Sequence, residues 1–243
     1  MKPAAAAIDP RPSVIGERLS RVKRVIAVTG WKGGIGKSVT AAVLALILSR
    51  RGFRTGLFDL DFAGASAHLV LGAGGKFPKE VKGIEPPPVS GVGLMSVAFF
   101  SGDKAVALRG ADVSDAMLEL LAVTQWGELD FLIMDMPPGI NDAALDVLRL
   151  LPRTEVLAVT IPSLMAHSVL ERSLSLYRSL KVPVLGVVSN METAGGRSSA
   201  KWRVRRDAGL ERALGRPERL LRTAFAADLG KVADALVRRR PGA

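Results

Sequence analysis

Two lysines and four glycines crowd the stretch VTGWKGGIGKSVT (28–40). Glycines permit close backbone approach and left-handed dihedrals, so Gly33, Gly34 and Gly36 suit a turn whose N–H groups converge on an anion. An apolar run, VIAVT (25–29), precedes the turn, and a helix-period run from about Lys37 to Arg51 follows it. That context gives the motif meaning, because phosphate oxygens fit the positive end of a helix dipole. Lys37 is then placed for the β- and γ-phosphates and the Ser38 hydroxyl for Mg²⁺. The strict pattern asks for glycine where Trp31 stands, and Val39 occupies a position that often carries a second hydroxyl.

Acids close two further apolar runs. Asp135 ends LDFLIMD, where it can hold Mg²⁺ through water, and Asp59 and Asp61 close TGLFDLD. Alternation puts Asp59 and Asp61 on one side. One could orient or polarise an attacking water and the other support the magnesium shell; the plainer alternative for DLD is a strand-end cap. Strand ends on one edge of a parallel sheet are where ligands bind in α/β folds.

The elements that must position these groups alternate. Strands are expected at 25–29, 55–61, 93–99, 129–139, 155–162 and 182–190, with a weaker one in RLLRTAF (219–225). Amphipathic helix is expected at 112–123, and a long Gly/Pro-rich loop at 72–91. Continuous apolar strands separated by helices predict an α/β fold: a single doubly wound, mostly parallel sheet flanked by helices. The domain division expected is a flexible N-terminal leader, 1–20, followed by one domain, 21–243.

Composition excludes several classes. The 243 residues contain no cysteine, so disulfides, thiol nucleophiles and cysteine-ligated clusters are ruled out on this chain. His68 and His167 stand apart, without metal-ligand spacing. The longest apolar run, 41–48, is far short of a membrane span, and a cytosolic location is expected. Net charge is +11, and residues 197–243 hold thirteen Lys and Arg against five Asp and Glu. This basic region suggests either a solvated face or a polyanionic partner, nucleic acid or an anionic membrane surface. Trp202 interrupts the basic run Arg197, Lys201, Arg203, Arg205, Arg206. Leu229, Val232, Leu236 and Val237 recur at helical spacing, as for a helix docked on the sheet or one lying on a membrane.

KGGIGKS with its leading lysine resembles the deviant phosphate-loop ATPases of the MinD/ParA/Mrp superfamily, whose fold is the SIMIBI-like P-loop NTPase. GLMSVAFF (93–100), residues 108–148 with WGELD and DMPPG, and VPVLGVVSNM (182–191) resemble the Mrp type in particular. The resemblance implies ATP and Mg²⁺ as nucleotide and cofactor, slow hydrolysis, and a homodimer sandwiching the nucleotide. It implies that Lys32 crosses to the partner's phosphates, that Asp61 orients the lytic water and that Asp135 holds the magnesium shell. Asn190 would read adenine, the backbone of Gly33 to Val39, Ile35 included, would cradle phosphate, and 137–142 would act as a γ-phosphate switch. Trp31 is expected at or near the dimer interface. Mrp-type proteins commonly place a CxxC pair after the strand matching VVSNM; here ETAGGRSSAKW stands instead, so no iron–sulfur cluster is expected. The leading expectation is therefore an Mrp-like ATPase acting on an unidentified protein client. The alternatives are a ParA/MinD-like positioning ATPase on DNA or membrane, and a non-hydrolysing nucleotide-binding subunit suggested by Trp31 and Val39.

Overall fold

The computed structural model describes residues 9–101, 110–193 and 199–239. In chain order its elements are α1 (Arg11–Arg18), β1 (Val22–Gly30), α2 (Lys37–Arg50), β2 (Thr55–Asp59) and α3 (Ala67–Leu71). Next come β3 (Lys79–Glu80), β4 (Ile84–Glu85), β5 (Pro88–Val89), β6 (Val92–Ser96), α4 (Ala98–Ser101), α5 (Gly110–Val123) and β7 (Leu129–Asp135). The chain continues with α6 (Asp142–Leu150), β8 (Thr154–Thr160), α7 (Leu164–Ser179), β9 (Val184–Glu192) and β10 (Trp202–Arg205). It closes with α8 (Leu210–Ala213), α9 (Pro217–Leu220) and α10 (Ala224–Arg238).

Among the described residues eight strands form one sheet in the order β10-β9-β8-β1-β7-β2-β6-β5. Every pairing in it is parallel except β5 with β6. The expected doubly wound sheet is thus what the chain forms. β1 lies between β7 and β8, covered on both faces, which is why its stretch from Val25 to Val28 is apolar without alternation. One core lies under α2 and α10, the other under α1, α5, α6 and α7. α2 buries Thr40 through Leu48 without a polar stripe, as a helix enclosed on all sides must.

Three expectations need correction. Within the leader expected at 1–20, residues 11–18 form α1, whose Ile15 is fully buried; residues 1–8 lie outside the described residues. Pro10 precedes the first turn, and Pro12 within it gives up no needed N–H. The segment 219–225 is not a strand: α9 ends at Leu220, and the Thr223 hydroxyl caps α10 by accepting from the Ala226 N–H at 3.1 Å. The strand in 129–139 ends at Asp135 as expected, ahead of Pro137 and Pro138. The loop at 72–91 carries a β3–β4 hairpin and the antiparallel edge strand β5.

The basic run resolves into the edge strand β10, with Trp202 and Val204 buried and Arg203 and Arg205 outward. Arg203 pairs with Glu192 at 3.2 Å and Arg205 with Asp228 at 2.8 Å. Arg197 lies outside the described residues. The C-terminal helix docks: Leu229, Val232 and Leu236 are buried in the first core, while Val237 is partly exposed. No described helix is long and apolar enough to cross a membrane.

Candidate nucleotide site

The C-terminal ends of β1, β2, β7 and β9 share one edge. Register sets Val28 beside Asp135 and Asp135 beside Asp59, so the phosphate-type loop after β1 rises next to both acids. Ile35 is buried and pins the loop to the first core. Gly34 and Gly36 have φ of 79° and 85°, the left-handed region, and Gly36 caps α2. A Cβ on Gly36 would sit 2.3 Å from the Asn190 amide nitrogen, so glycine is required there twice over.

Lys37 is buried between two carboxylates. Its Nζ lies 2.5 Å from Asp135 Oδ1 and 3.6 Å from Asp61 Oδ2. Burial raises the Asp135 pKa more than the Lys37 charge and the Ser38 hydroxyl beside it lower it. Asp135 Oδ2 is buried and has no hydrogen-bond partner among the described residues. Asp61 accepts the Gly64 N–H at 3.1 Å through Oδ1, leaving Oδ2 toward Lys37.

Asp59 is occupied differently from its neighbours. Its carboxylate accepts the N–H groups of Asp61, Ser66 and Ala67 at 3.0–3.2 Å and the Ser96 hydroxyl at 3.3 Å. It thereby caps the start of α3 and fixes the turn that carries Asp61. Burial, with the nearby Asp135 charge, pushes its pKa up to about 7.

Asn190 ends up as a brace. Its amide donates to the Ile35 carbonyl at 2.9 Å, and its Oδ1 accepts the Met191 N–H at 2.8 Å. Among the described residues, one amide proton and one carbonyl lone pair have no further partner. The cleft, about 560 Å³, is lined by Lys32, Gly33, Gly34, Gly36, Lys37, Ser38, Val39, Asp61 and Asn190. Its far wall was not anticipated from sequence: Met191, Arg206, Asp207, Leu210 and Phe225 line it. Asp207 accepts the Gly209 and Phe225 N–H groups at 2.8 and 3.2 Å, which holds its pKa low and joins the turn after β10 to α10. The legible signal was the short RDAG turn, hidden within a run read only for its charge.

Lys32 is exposed at the mouth, its Nζ 5.8 Å from the centroid of the Trp31 ring. Trp31 is half-buried against the first core and, with Gly139, Ile140, Leu170, Ser173 and Tyr177, walls a small cavity. The Gly139 N–H donates to the Gly30 carbonyl at 2.8 Å, tying the expected switch segment to the base of the loop.

A strand–glycine turn–helix unit whose buried lysine meets acids on adjoining strands, within a doubly wound parallel sheet, defines the P-loop NTPase class. The chain belongs to the ParA-group family described as NUBPL iron-transfer P-loop NTPase, whose model matches residues 21–205. It is 41% identical over 177 residues to an iron-sulfur cluster carrier protein of Pseudomonas fragi, covering 71% of this chain and 62% of that one. It is 39% identical to a chloroplastic Fe-S cluster assembly factor of Arabidopsis thaliana, covering 71% and 33%. The chain therefore spans from a third to about three-fifths of these relatives' length. Among solved structures, an ADP-bound nucleotide-binding protein from Archaeoglobus fulgidus matches with TM-score 0.72 and 26% identity, over 96% of this chain and 98% of that one. The cell-division ATPase MinD of Pyrococcus furiosus matches in fold, with TM-score 0.67 and 19% identity, over 89% and 99%.

Proposed function

We propose that this chain is a Mg²⁺-dependent ATPase that works as a nucleotide-switched homodimer in the cytosol. It would serve iron–sulfur protein assembly on a protein client without cluster ligands of its own. The observation that carries the reading is Lys37, buried between Asp135 and Asp61 under the glycine loop that opens α2. A buried ammonium on two carboxylates is a costly arrangement in an unliganded site, and a polyphosphate offers the alternative partner.

The loop N–H groups from Gly33 to Val39 would hold the phosphates at the start of α2. Lys37 would leave its carboxylates for the β- and γ-phosphate oxygens, stabilising the charge that develops in transfer. Asp61, held by the Gly64 N–H, would orient the attacking water. As the water oxygen bonds to the γ-phosphorus, the bond to the bridging oxygen breaks, and the water's proton ends on the released phosphate. Lys32 of a second copy would add charge from across the interface. Asn190 retains a donor and an acceptor for the base. The residues present fit a magnesium ion: an unpartnered buried oxygen on Asp135 beside the Ser38 hydroxyl forms a hard-oxygen donor set. When bound, the ion would neutralise phosphate charge. Asp59 supports this shell at one remove, through the turn it caps.

Support for the iron–sulfur setting comes from the family and from the relatives' names; support for the missing ligands comes from a sequence without cysteine. Phosphate release with ATP tests the catalytic part. Wild type should turn over, Lys37→Ala and chelated samples should fall to background, and Lys32→Ala should turn over more slowly but measurably while still binding nucleotide. Wild-type turnover equal to that of Lys37→Ala would favour a non-hydrolysing subunit.

A further inference from the structure

Trp31 stands where the strict phosphate-loop pattern has glycine, and its surroundings state what an indole adds there. The ring is wedged into its own subunit, against the first core and beside Gly139, Ile140, Leu170 and Tyr177. Its Nε1 is buried and has no acceptor among the described residues. An unpaired buried donor costs free energy, and a leucine or phenylalanine would fill the same wall without it. What the indole provides beyond bulk is the strongest face for a cation, and the Lys32 ammonium lies 5.8 Å from it.

The lysine has little else to hold it. Its side chain is exposed and forms no ion pair among the described residues. Gly33 and Gly34 follow, and a Cβ on either would meet nothing within 4 Å, so the backbone beyond Lys32 is not clamped by packing. Packing holds the ring, and the indole face is the contact that Lys32 makes.

We propose that Trp31 is a positioning residue for Lys32, parking its ammonium on the indole face at the mouth of the cleft. The kinetic consequence rests on the ATPase reading above; the placement does not. A restrained Lys32 meets a second copy's phosphates with less ordering left to do, so the indole acts on turnover rather than on nucleotide affinity.

Two measurements test this. The first is proton NMR of the Lys32 ε-methylene, assigned by its loss in Lys32→Ala. Ring current should shift it upfield in wild type, and Trp31→Leu should abolish the shift. Lys201, whose Nζ lies 4.4 Å from the Trp202 ring, is the internal control and should not change. A Lys32 signal at its free-chain position in wild type overturns the proposal, whatever the turnover. The second is steady-state ATP turnover with nucleotide affinity measured separately. Trp31→Leu should lower kcat about two- to fivefold at unchanged affinity, as expected for one exposed cation–π contact. Trp31→Phe should restore most of it, and in a Lys32→Ala background Trp31→Leu should have no further effect. A Trp31→Leu loss that persists without Lys32 overturns the positioning role. Absence of any wild-type turnover above Lys37→Ala would instead refute the ATPase reading, leaving the NMR result to decide this one.

Discussion

Gly36→Ala should damage the empty protein, before any nucleotide is added. Alanine at φ 85° takes on the left-handed penalty, roughly 1–2 kcal/mol. Its Cβ would also stand 2.3 Å from the Asn190 amide nitrogen. A flexible side chain could swing aside at little cost, but this one is buried and bonded at both ends, to the Ile35 carbonyl and the Met191 N–H. Moving it forfeits two hydrogen bonds of about 1 kcal/mol each. Together these give about 3–4 kcal/mol, a fall in melting temperature of roughly 6–16 °C for a chain of this size. Gly33→Ala is the matched control: no atom lies within 4 Å of its added Cβ, and its φ is not left-handed. Its melting temperature should stay level or rise slightly, since alanine narrows the unfolded ensemble. Differential scanning calorimetry without nucleotide makes the comparison. Adding Asn190→Ala to Gly36→Ala should cost less than adding it to wild type, because the two Asn190 hydrogen bonds are already lost there. Equal melting of the Gly36→Ala and Gly33→Ala proteins would refute the bracing role given to Asn190.

Other consequences follow from single contacts. Ile15→Ala should cost about 2–5 kcal/mol in urea unfolding if α1 belongs to the folded domain, and nothing measurable if it does not. Lys37→Ala leaves Asp135 buried without its counter-ion and should destabilise by about 3–5 kcal/mol, read by the same unfolding curves. Burial raises the Asp228 pKa, but the Arg205 bonds outweigh it and the net shift is downward. Its folded pKa lies below the unfolded 3.8, so its contribution is present above that value and lost as pH falls through the folded pKa. Asp228→Asn should therefore melt below wild type at pH 7, and the gap should close as the pH drops below about 4.

Much of the site could be read from residue order because its parts are local. A strand, a glycine turn and a helix follow one another within 25–51, and Asp135 closes an apolar run. What escaped reading depends on distant partners. The strand character of β10 is carried by Trp202 and Val204, but its outward arginines find Glu192 and Asp228 only after folding. α1 is short and begins at prolines, and only the cavity it fills with Ile15 marks it as part of the domain. RLLRTAF carries apolar residues in a strand-like cluster, yet Thr223 caps the next helix and the helical period wins. Asp59 and Asp61 look equivalent in DLD; the N–H groups of Ser66 and Ala67 turn the first into a cap and leave the second facing Lys37.

The most direct test of the account is a structure of the protein with Mg²⁺ and a non-hydrolysable ATP analogue. It should show the triphosphate on the N–H groups of Gly33 to Val39, with Lys37 moved off Asp135 and onto the phosphates. The ion should sit at Ser38, bridged by water to Asp135 Oδ2, and Lys32 should reach the nucleotide of a second copy. A nucleotide bound outside the cleft, with Lys37 still held between Asp135 and Asp61, would contradict the account.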